Sequence, residues 1–397
     1  MEKIRLAAIG LGARGLSVVQ GVLLANARCQ VVALCDLYQD RMDTVAALIK
    51  ENSGTDVAVK TTDYRELLQK KAEFDAVCIF ASWECHIEIA IASMQAGIPV
   101  AIEVGGAYSV EDCVNLVKTQ VATGTKFMFL ENCCYGRAEL AVLHLVRQGL
   151  FGEIVHCEGG YEHDLRNQVL LGEENRHYRL RNYIARNCDN YPMHALGPIA
   201  KILNINKGNR MLYLSSMASK AAGLNDYASL HPEKYQSKFV TQKFMQGDVV
   251  RTNILCSDGT TISLRLNTTC PRPYSRNFSI QGTRACYYEN GAFFHFDTEH
   301  SKADEEKPTL YYNNRDKYLE KYDHPMWKKF LSEGIRGGHG GMDWLMFEAF
   351  FDYIENGGES PIDVYDAAAW MCITPLSAKS IQLGSMPVEI PDFTLLT

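Results

Sequence analysis

An apolar run of strand length, Ile4-Arg5-Leu6-Ala7-Ala8-Ile9, leads directly into Gly10-Leu11-Gly12-Ala13-Arg14-Gly15, glycines at G-x-G-x-x-G spacing. Leu16 to Ala27 then carries helical apolar periodicity, so the order is strand, tight turn, helix. Each glycine has a task there: one permits the turn, one lets a pyrophosphate approach bare backbone, and one lets the helix pack close to the strand. The helix N-terminus supplies N–H donors and a positive dipole end for phosphates. A second apolar strand, Val31 to Cys35, ends in Asp36, about 20 residues past the glycines, where a carboxylate accepts hydrogen bonds from a ribose diol. It would repel a 2'-phosphate, so NAD is expected over NADP.

The alternation continues beyond Asp36. Gln39 to Glu51 reads as a helix, Val57 to Val59 as a short strand, and Asp63 to Lys71 as a helix capped by Asp63. Ala76 to Ala81, Val100 to Val104 and Phe127 to Glu131 read as buried strands, with helices to Ala96 and over Val110 to Ala122 between them. Continuous apolar strands separated by helices imply a parallel sheet covered on both faces, a Rossmann doubly wound α/β domain over residues 1–132. Ligands sit beyond the carboxyl ends of such strands. Trp83 to His86, Glu103-Val104 and Asn132 therefore join Gly10 to Gly15 on one rim.

From Ile154 the grammar changes. After a helix over Gly136 to Gly149, Val249 to Cys256 and Thr260 to Thr269 alternate in strand fashion and meet at Asp258-Gly259, a hairpin turn. Phe278 to Gln281, Arg284 to Tyr288 and Phe293 to Phe296 follow, the last two joined through Asn290-Gly291. Residues 133–397 are thus expected to form an α+β domain with an open, mainly antiparallel sheet. Asp164 to Asn190 reads as a long arginine-rich loop, a functional cover or a disordered segment. Ser301 to Pro308 is charged and surface-like. Met342 to Glu355 and Asp363 to Gln382 read as two closing helices.

Composition narrows the partners. A net charge of −7 without a basic block excludes nucleic acid, which needs clustered cations. No apolar run reaches the roughly 18 residues of a membrane helix. The thirteen cysteines include no C-x-x-C pair and no zinc-like spacing, so no metal site is expected and free thiols of a reducing cytosol explain them. A cytoplasmic protein with a small-molecule or glycan partner is the expectation, unless a leader has been trimmed. An exposed sheet face in the second domain would suit a homo-oligomer.

A nucleotide half followed by an antiparallel-sheet half resembles the glucose-fructose oxidoreductase, inositol dehydrogenase and MocA superfamily. Its dehydrogenases carry Glu-Lys-Pro after the fifth strand and an Asp four residues before a His in the second domain. Here Glu103-Val104-Gly105 and Asn190 before His194 stand instead, so the usual proton acceptor of an alcohol dehydrogenase is gone. The remaining blocks resemble glycoside hydrolase family 109, the NAD-dependent α-N-acetylgalactosaminidases. They are Gly12-x-Arg14-Gly15, Trp83-Glu84-Cys85-His86, Glu103-Val104, Glu131-Asn132, Gly160-Tyr161, Tyr191-Pro192-Met193-His194-x-x-Gly197-Pro198 and Pro271-Arg272-Pro273-Tyr274. The resemblance implies that Ala13, Arg14, Asp36, Trp83, Glu84, Cys85, His86, Glu103, Val104 and Asn132 contact NAD. It likewise implies that Tyr161, Arg179, Tyr191, Pro192, Met193, His194 and Tyr274 line a sugar site, with Arg181 a rival to Arg179. Met193 departs from the threonine usual in the family.

Ordinary glycosidases use two carboxylates about 5 to 10 Å apart, and NAD-dependent families are exceptions. The resemblance implies transient oxidation at carbon 3 of the sugar, which acidifies the proton on carbon 2. A base removes that proton, the aglycone leaves carbon 1, water adds, and the hydride returns. His194 is the candidate at the carbon 3 oxygen. Tyr161 is the candidate base, with Tyr191 and Tyr274 as alternatives, and needs a cationic neighbour such as Arg179 or the nicotinamide ring to lower its pKa. His339, flanked by glycines, reads as a turn, and His156 and His163 as structural. A net sugar dehydrogenase and a non-catalytic NAD sensor are the competing functions.

Overall fold

The computed structural model describes residues 2–299 and 312–396; the Ser301 to Pro308 stretch lies outside them. The chain divides into two compact units, Met1–Tyr135 with Glu333–Ala369 and Phe393–Thr397, and Gly136–Ser332 with Trp370–Asp392. The expected division at 132/133 is close to the first crossing, but assigning all of 133–397 to a second domain is corrected. The reason is apolar: Trp344, Phe347, Phe350 and Phe351 of the Met342–Asn356 helix are buried. Its first-unit partners include the Phe351 ring under Arg28, and the Tyr353 and Ile354 carbonyls that accept from Lys126 Nζ.

In the first unit, β1 (Ile4–Ile9), β2 (Cys29–Cys35), β3 (Val59–Thr61), β4 (Ala76–Ile79), β5 (Val100–Glu103) and β6 (Phe127–Leu130) form a parallel sheet in the order β3-β2-β1-β4-β5-β6. This is the doubly wound order whose switch point lies beside β1. β3 sits two residues later than expected because Ala33 to Cys35 pair with Val59 to Thr61. Asp63 caps the Tyr64–Gln69 helix as expected, accepting from Arg65 N. Ser109 and Asp112 add a reciprocal cap to the Val110–Thr123 helix. The helix after the glycines starts at Ala13 and loosens into a π-turn over Val19–Leu23.

In the second unit, β7 (Ile154–Glu162), β8 (Met211–Ala218), β9 (Val249–Cys256), β10 (Thr261–Asn267), β11 (Ser279–Gly282), β12 (Ala285–Tyr288), β13 (Phe293–Phe296) and β14 (Val388–Glu389) form one sheet. Its order is β13-β12-β11-β7-β10-β9-β8-β14. All its pairs are antiparallel except β7 with β10, so the expected meander is interrupted where β7 is inserted between β10 and β11. Asp164 to Asn190 is not an irregular loop: it holds helices Arg166–Leu170 and Arg179–Ala185, pinned by buried Val169, Leu170, Leu180 and Tyr183. The single helix expected over Asp363 to Gln382 is two, Val364–Met371 and Ile373–Gln382. Pro375 has no N–H to give and crowds the carbonyl four residues back, which breaks the run near Cys372. All thirteen cysteines are free, and among the described residues no helix is long and apolar enough to cross a membrane.

Candidate active site

In the first unit the glycine turn has the form a dinucleotide requires. A Cβ on Gly15 would overlap the Gly10 carbonyl oxygen, and one on Gly10 would lie 2.6 Å from Ala81 N. The cradle is therefore closed to side chains behind, while Gly12 meets nothing nearer than Arg41 at 3.5 Å. Asp36, at the end of β2, accepts from Leu11 N at 2.6 Å and Tyr38 N at 2.9 Å. Those bonds lock the carboxylate against the glycine turn and leave lone pairs for a ribose diol. These residues fit NAD.

The rim beyond β4, β5 and β6 is tied together. Arg14 Nε donates to Glu103 Oε1 at 2.7 Å, and its Nη1 and Nη2 donate to Asp343 Oδ2 and Oδ1 at 2.8 and 3.0 Å. Asn132 Nδ2 donates to the same Asp343 Oδ1 at 2.8 Å. Burial would raise the Asp343 carboxyl, but hydrogen bonds from His339 and Arg14 hold it well below the usual carboxylate range. Two expected cofactor residues, Arg14 and Asn132, thus meet at a carboxylate that the sequence reading missed, and Glu103 is joined to it through Arg14. His339, read as a plain turn, stands 2.8 Å from it through Nδ1. His339 reaches it from the glycine turn that precedes the Met342–Asn356 helix, with His339, Gly340 and Gly341 all at positive φ.

Trp83 and His86 explain the loss of Lys-Pro after Glu103. A Cβ on Gly105 would overlap Trp83 Cδ1 and lie 2.7 Å from His86 Cε1, so no proline fits there. Val104, at the lysine position, is buried. His86 is wholly enclosed, and burial lowers its pKa to about 4, which makes it a neutral packing group behind the rim. Glu84 is exposed and Cys85 half-buried.

In the second unit the expected sugar residues gather on β7 and the Met193–Ile202 helix. Gly159 lets the two approach, since a Cβ there would lie 2.6 Å from Ala195 Cβ. Tyr161, at the end of β7, packs its ring 4.4 Å from Tyr191 and 5.8 Å from His194, and Tyr191 Oη lies 3.3 Å from His194 Nε2. The Arg179 guanidinium stands 5.8 Å from the Tyr161 ring and 5.2 Å from the Tyr191 ring. Arg181, on the same short helix, is exposed, so it is Arg179 that joins the cluster. Burial opposes the Arg179 charge, and the surrounding tyrosines outweigh it and raise its pKa. Pro192 and Met193 are buried at the start of the helix and serve as backing; the methionine offers no polar contact.

His163 belongs to this cluster, contrary to its reading as structural. Its Nδ1 lies 3.3 Å from Tyr161 Oη, and its ring meets Tyr274 edge-on at 5.2 Å. Burial lowers its pKa, with Arg179 adding to the effect, so the imidazole is neutral and able to accept a proton. Residues two apart on a strand share a face, and that spacing from Tyr161 is the signal that finds it. His156 Nδ1 lies 2.7 Å from Thr261 Oγ1. Glu162, beside Tyr161 in sequence, is fully buried and paired with Arg265 and Arg272.

Residues 4–130 match the family model described as oxidoreductase family, NAD-binding Rossmann fold. Residues 135–396 match the one described as glycosyl hydrolase 109, C-terminal domain. A Stenotrophomonas maltophilia relative named glycosyl hydrolase family 109 protein is 38% identical over 415 residues, covering 99% of this chain and 89% of its own length. One from Tannerella forsythia, named alpha-N-acetylgalactosaminidase, is 36% identical over 417 residues, 98% and 86% of the two chains. Among solved structures, an Azotobacter vinelandii inositol dehydrogenase homologue complexed with NADH and myo-inositol superposes with a TM-score of 0.68 at 16% identity, over 98% of each chain. Levoglucosan dehydrogenase with NADH and levoglucosan gives 0.68 at 18%, covering 98% of this chain and all of the other. At such identities these last two bear on the fold alone.

Proposed function

Because the chain belongs to glycosyl hydrolase family 109, with full-length relatives at 36 to 38% identity, we propose that it cleaves terminal α-linked N-acetylgalactosamine by oxidation and re-reduction at carbon 3. It is an NAD-dependent glycoside hydrolase. NAD, when bound, supplies a two-electron acceptor and donor that turns the carbon 3 alcohol into a ketone and back. Everything else falls to side chains. His194, with Tyr191 at its Nε2, holds the carbon 3 oxygen and takes its proton. Tyr161 removes the proton on carbon 2, with His163 accepting from its phenol. Arg179 supports the developing enolate oxygen, the electrostatic part of such a site.

The observation that carries the reading is the Tyr161 and His163 pair within a cluster of tyrosines, histidine and arginine. The neighbouring carboxylate offers no substitute acid, because Glu162 is taken by two arginines. In the first unit Glu103 is likewise taken by Arg14 and Val104 N. A net sugar dehydrogenase is less well supported, because Val104 occupies the lysine position. Thirteen free thiols support a reducing cytoplasmic setting; a disulfide mapped in the native protein would count against it.

One experiment tests the reading: an aryl α-N-acetylgalactosaminide incubated with the enzyme in heavy water. Aglycone release with deuterium at carbon 2 and no accumulating NADH is expected. Cleavage that leaves carbon 2 unlabelled overturns the mechanism, and stoichiometric NADH without cleavage points to the dehydrogenase.

A further inference from the structure

Asp343 opens the Met342–Asn356 helix, and only 1% of its side chain is accessible. Its two oxygens accept four bonds: Oδ1 from Arg14 Nη2 at 3.0 Å and Asn132 Nδ2 at 2.8 Å, Oδ2 from Arg14 Nη1 and His339 Nδ1, each at 2.8 Å. Arg14 passes the constraint on through Nε to Glu103 at 2.7 Å, and Glu103 Oε2 accepts from Val104 N at 3.2 Å. Residues after β1 and β6 and at the end of β5, far apart in sequence, are therefore fixed from one buried atom pair.

We propose that Asp343 is a positioning residue for the coenzyme, setting the side chains of Arg14, Glu103 and Asn132 in their NAD-binding arrangement before NAD arrives. The inference rests on the reading that those three residues face NAD. Long polar side chains lose rotamer freedom when they grip a ligand, and a scaffold that has already fixed them spares the ligand that cost. Tight coenzyme retention is what this reaction needs, since each turnover ends with the coenzyme as it began. The bidentate geometry matters as well as the charge. An arginine fork matched to one carboxylate is held in plane, whereas a single bond leaves it to swing.

The test removes NAD from the wild-type chain and from Asp343→Asn, His339→Ala and Asp352→Asn. It measures NAD affinity by protein fluorescence and unfolding of the NAD-free proteins by heat. Asp352 lies on the same helix but pairs with Arg28 at the surface, so it controls for damage to the helix. Asp343→Asn is expected to weaken NAD binding at least tenfold, with cleavage recovering to within threefold at saturating NAD. His339→Ala removes one bond to the carboxylate and is expected to weaken binding two- to fivefold, which keeps the idea testable if Asp343→Asn does not fold. Asp352→Asn should leave affinity unchanged. Tight wild-type binding with unaltered affinity in both the Asp343 and His339 variants overturns the inference alone, even if unfolding shifts. A wild-type chain that takes up no NAD overturns the cofactor reading and the inference with it.

Discussion

Half-buried Arg14 in the first unit and buried Arg179 in the second are housed in opposite ways. Arg14 is gripped by two carboxylates, Glu103 and Asp343, whereas Arg179 faces the rings of Tyr161 and Tyr191. The first charge is spent on architecture. The second is spent on its neighbours, since it helps keep His163 neutral. Where carboxylates neutralise the cation, the segment is a rigid seat; where π faces surround it, its field reaches titratable groups that can move protons.

If that contrast is right, the largest effect comes from the proton-transfer side. Tyr161→Phe should lower kcat on the order of 10³-fold while leaving NAD affinity intact, because a positioned acid or base contributes roughly 10² to 10⁴. A change in NAD affinity there would blur the division of labour.

Matched substitutions of the two arginines come next. Arg179→Met should cut kcat about 100-fold, within the range seen for removing one electrostatic stabiliser, with little loss of stability. It should also move the acid limb of the pH–rate profile upward as His163 loses the cation that lowers its pKa. Arg14→Met strips the partner from two buried carboxylates and should cost about 2 to 3 kcal/mol in denaturant unfolding. Equal destabilisation by both variants would erase the contrast. Gly105→Ala, by pushing on Trp83 and His86, should cost about 1 to 2 kcal/mol through overpacking, measured on NAD-free protein.

The smallest effect concerns pH and stability. Burial raises the Asp189 carboxyl to about 7, above its unfolded value, so the folded chain binds the extra proton between about 4 and 7. Its contribution is complete at low pH and is lost as pH rises through that window. His86 runs the other way: with a folded value of about 4 against an unfolded one near 6.5, its contribution is complete above 6.5 and is lost on acidification. The two slopes oppose each other. Asp189→Asn should therefore tilt the stability profile upward between pH 4.5 and 6.5, by roughly 1 kcal/mol per pH unit; an unchanged profile would rule this out.

The parallel sheet was legible because its strands are continuous apolar runs and need only local pattern to be found. β9 and β13 were placed to the residue for a similar reason, alternation bounded by turns. The position of the Met342–Asn356 helix was not legible, since periodicity gives a helix its apolar face but not the partner that covers it. Asp343 was therefore not singled out. The parallel pairing of β7 with β10 escaped for the same reason, being a matter of long-range order. Tyr161, Arg179, Tyr191 and His194 were reached through family blocks, and His163 needed the strand face that only β7 reveals.

The return of Glu333–Ala369 to the first unit has a consequence for synthesis. A ribosome that has delivered the six-stranded sheet has still to make some two hundred further residues before the anchor of Arg14 emerges. Until then the first unit lacks the buried phenylalanines of the Met342–Asn356 helix, so a fragment cut after Asn132 should come out sticky and unable to retain a nucleotide. Grafting this coenzyme half onto another protein would mean transplanting three separate stretches of sequence together.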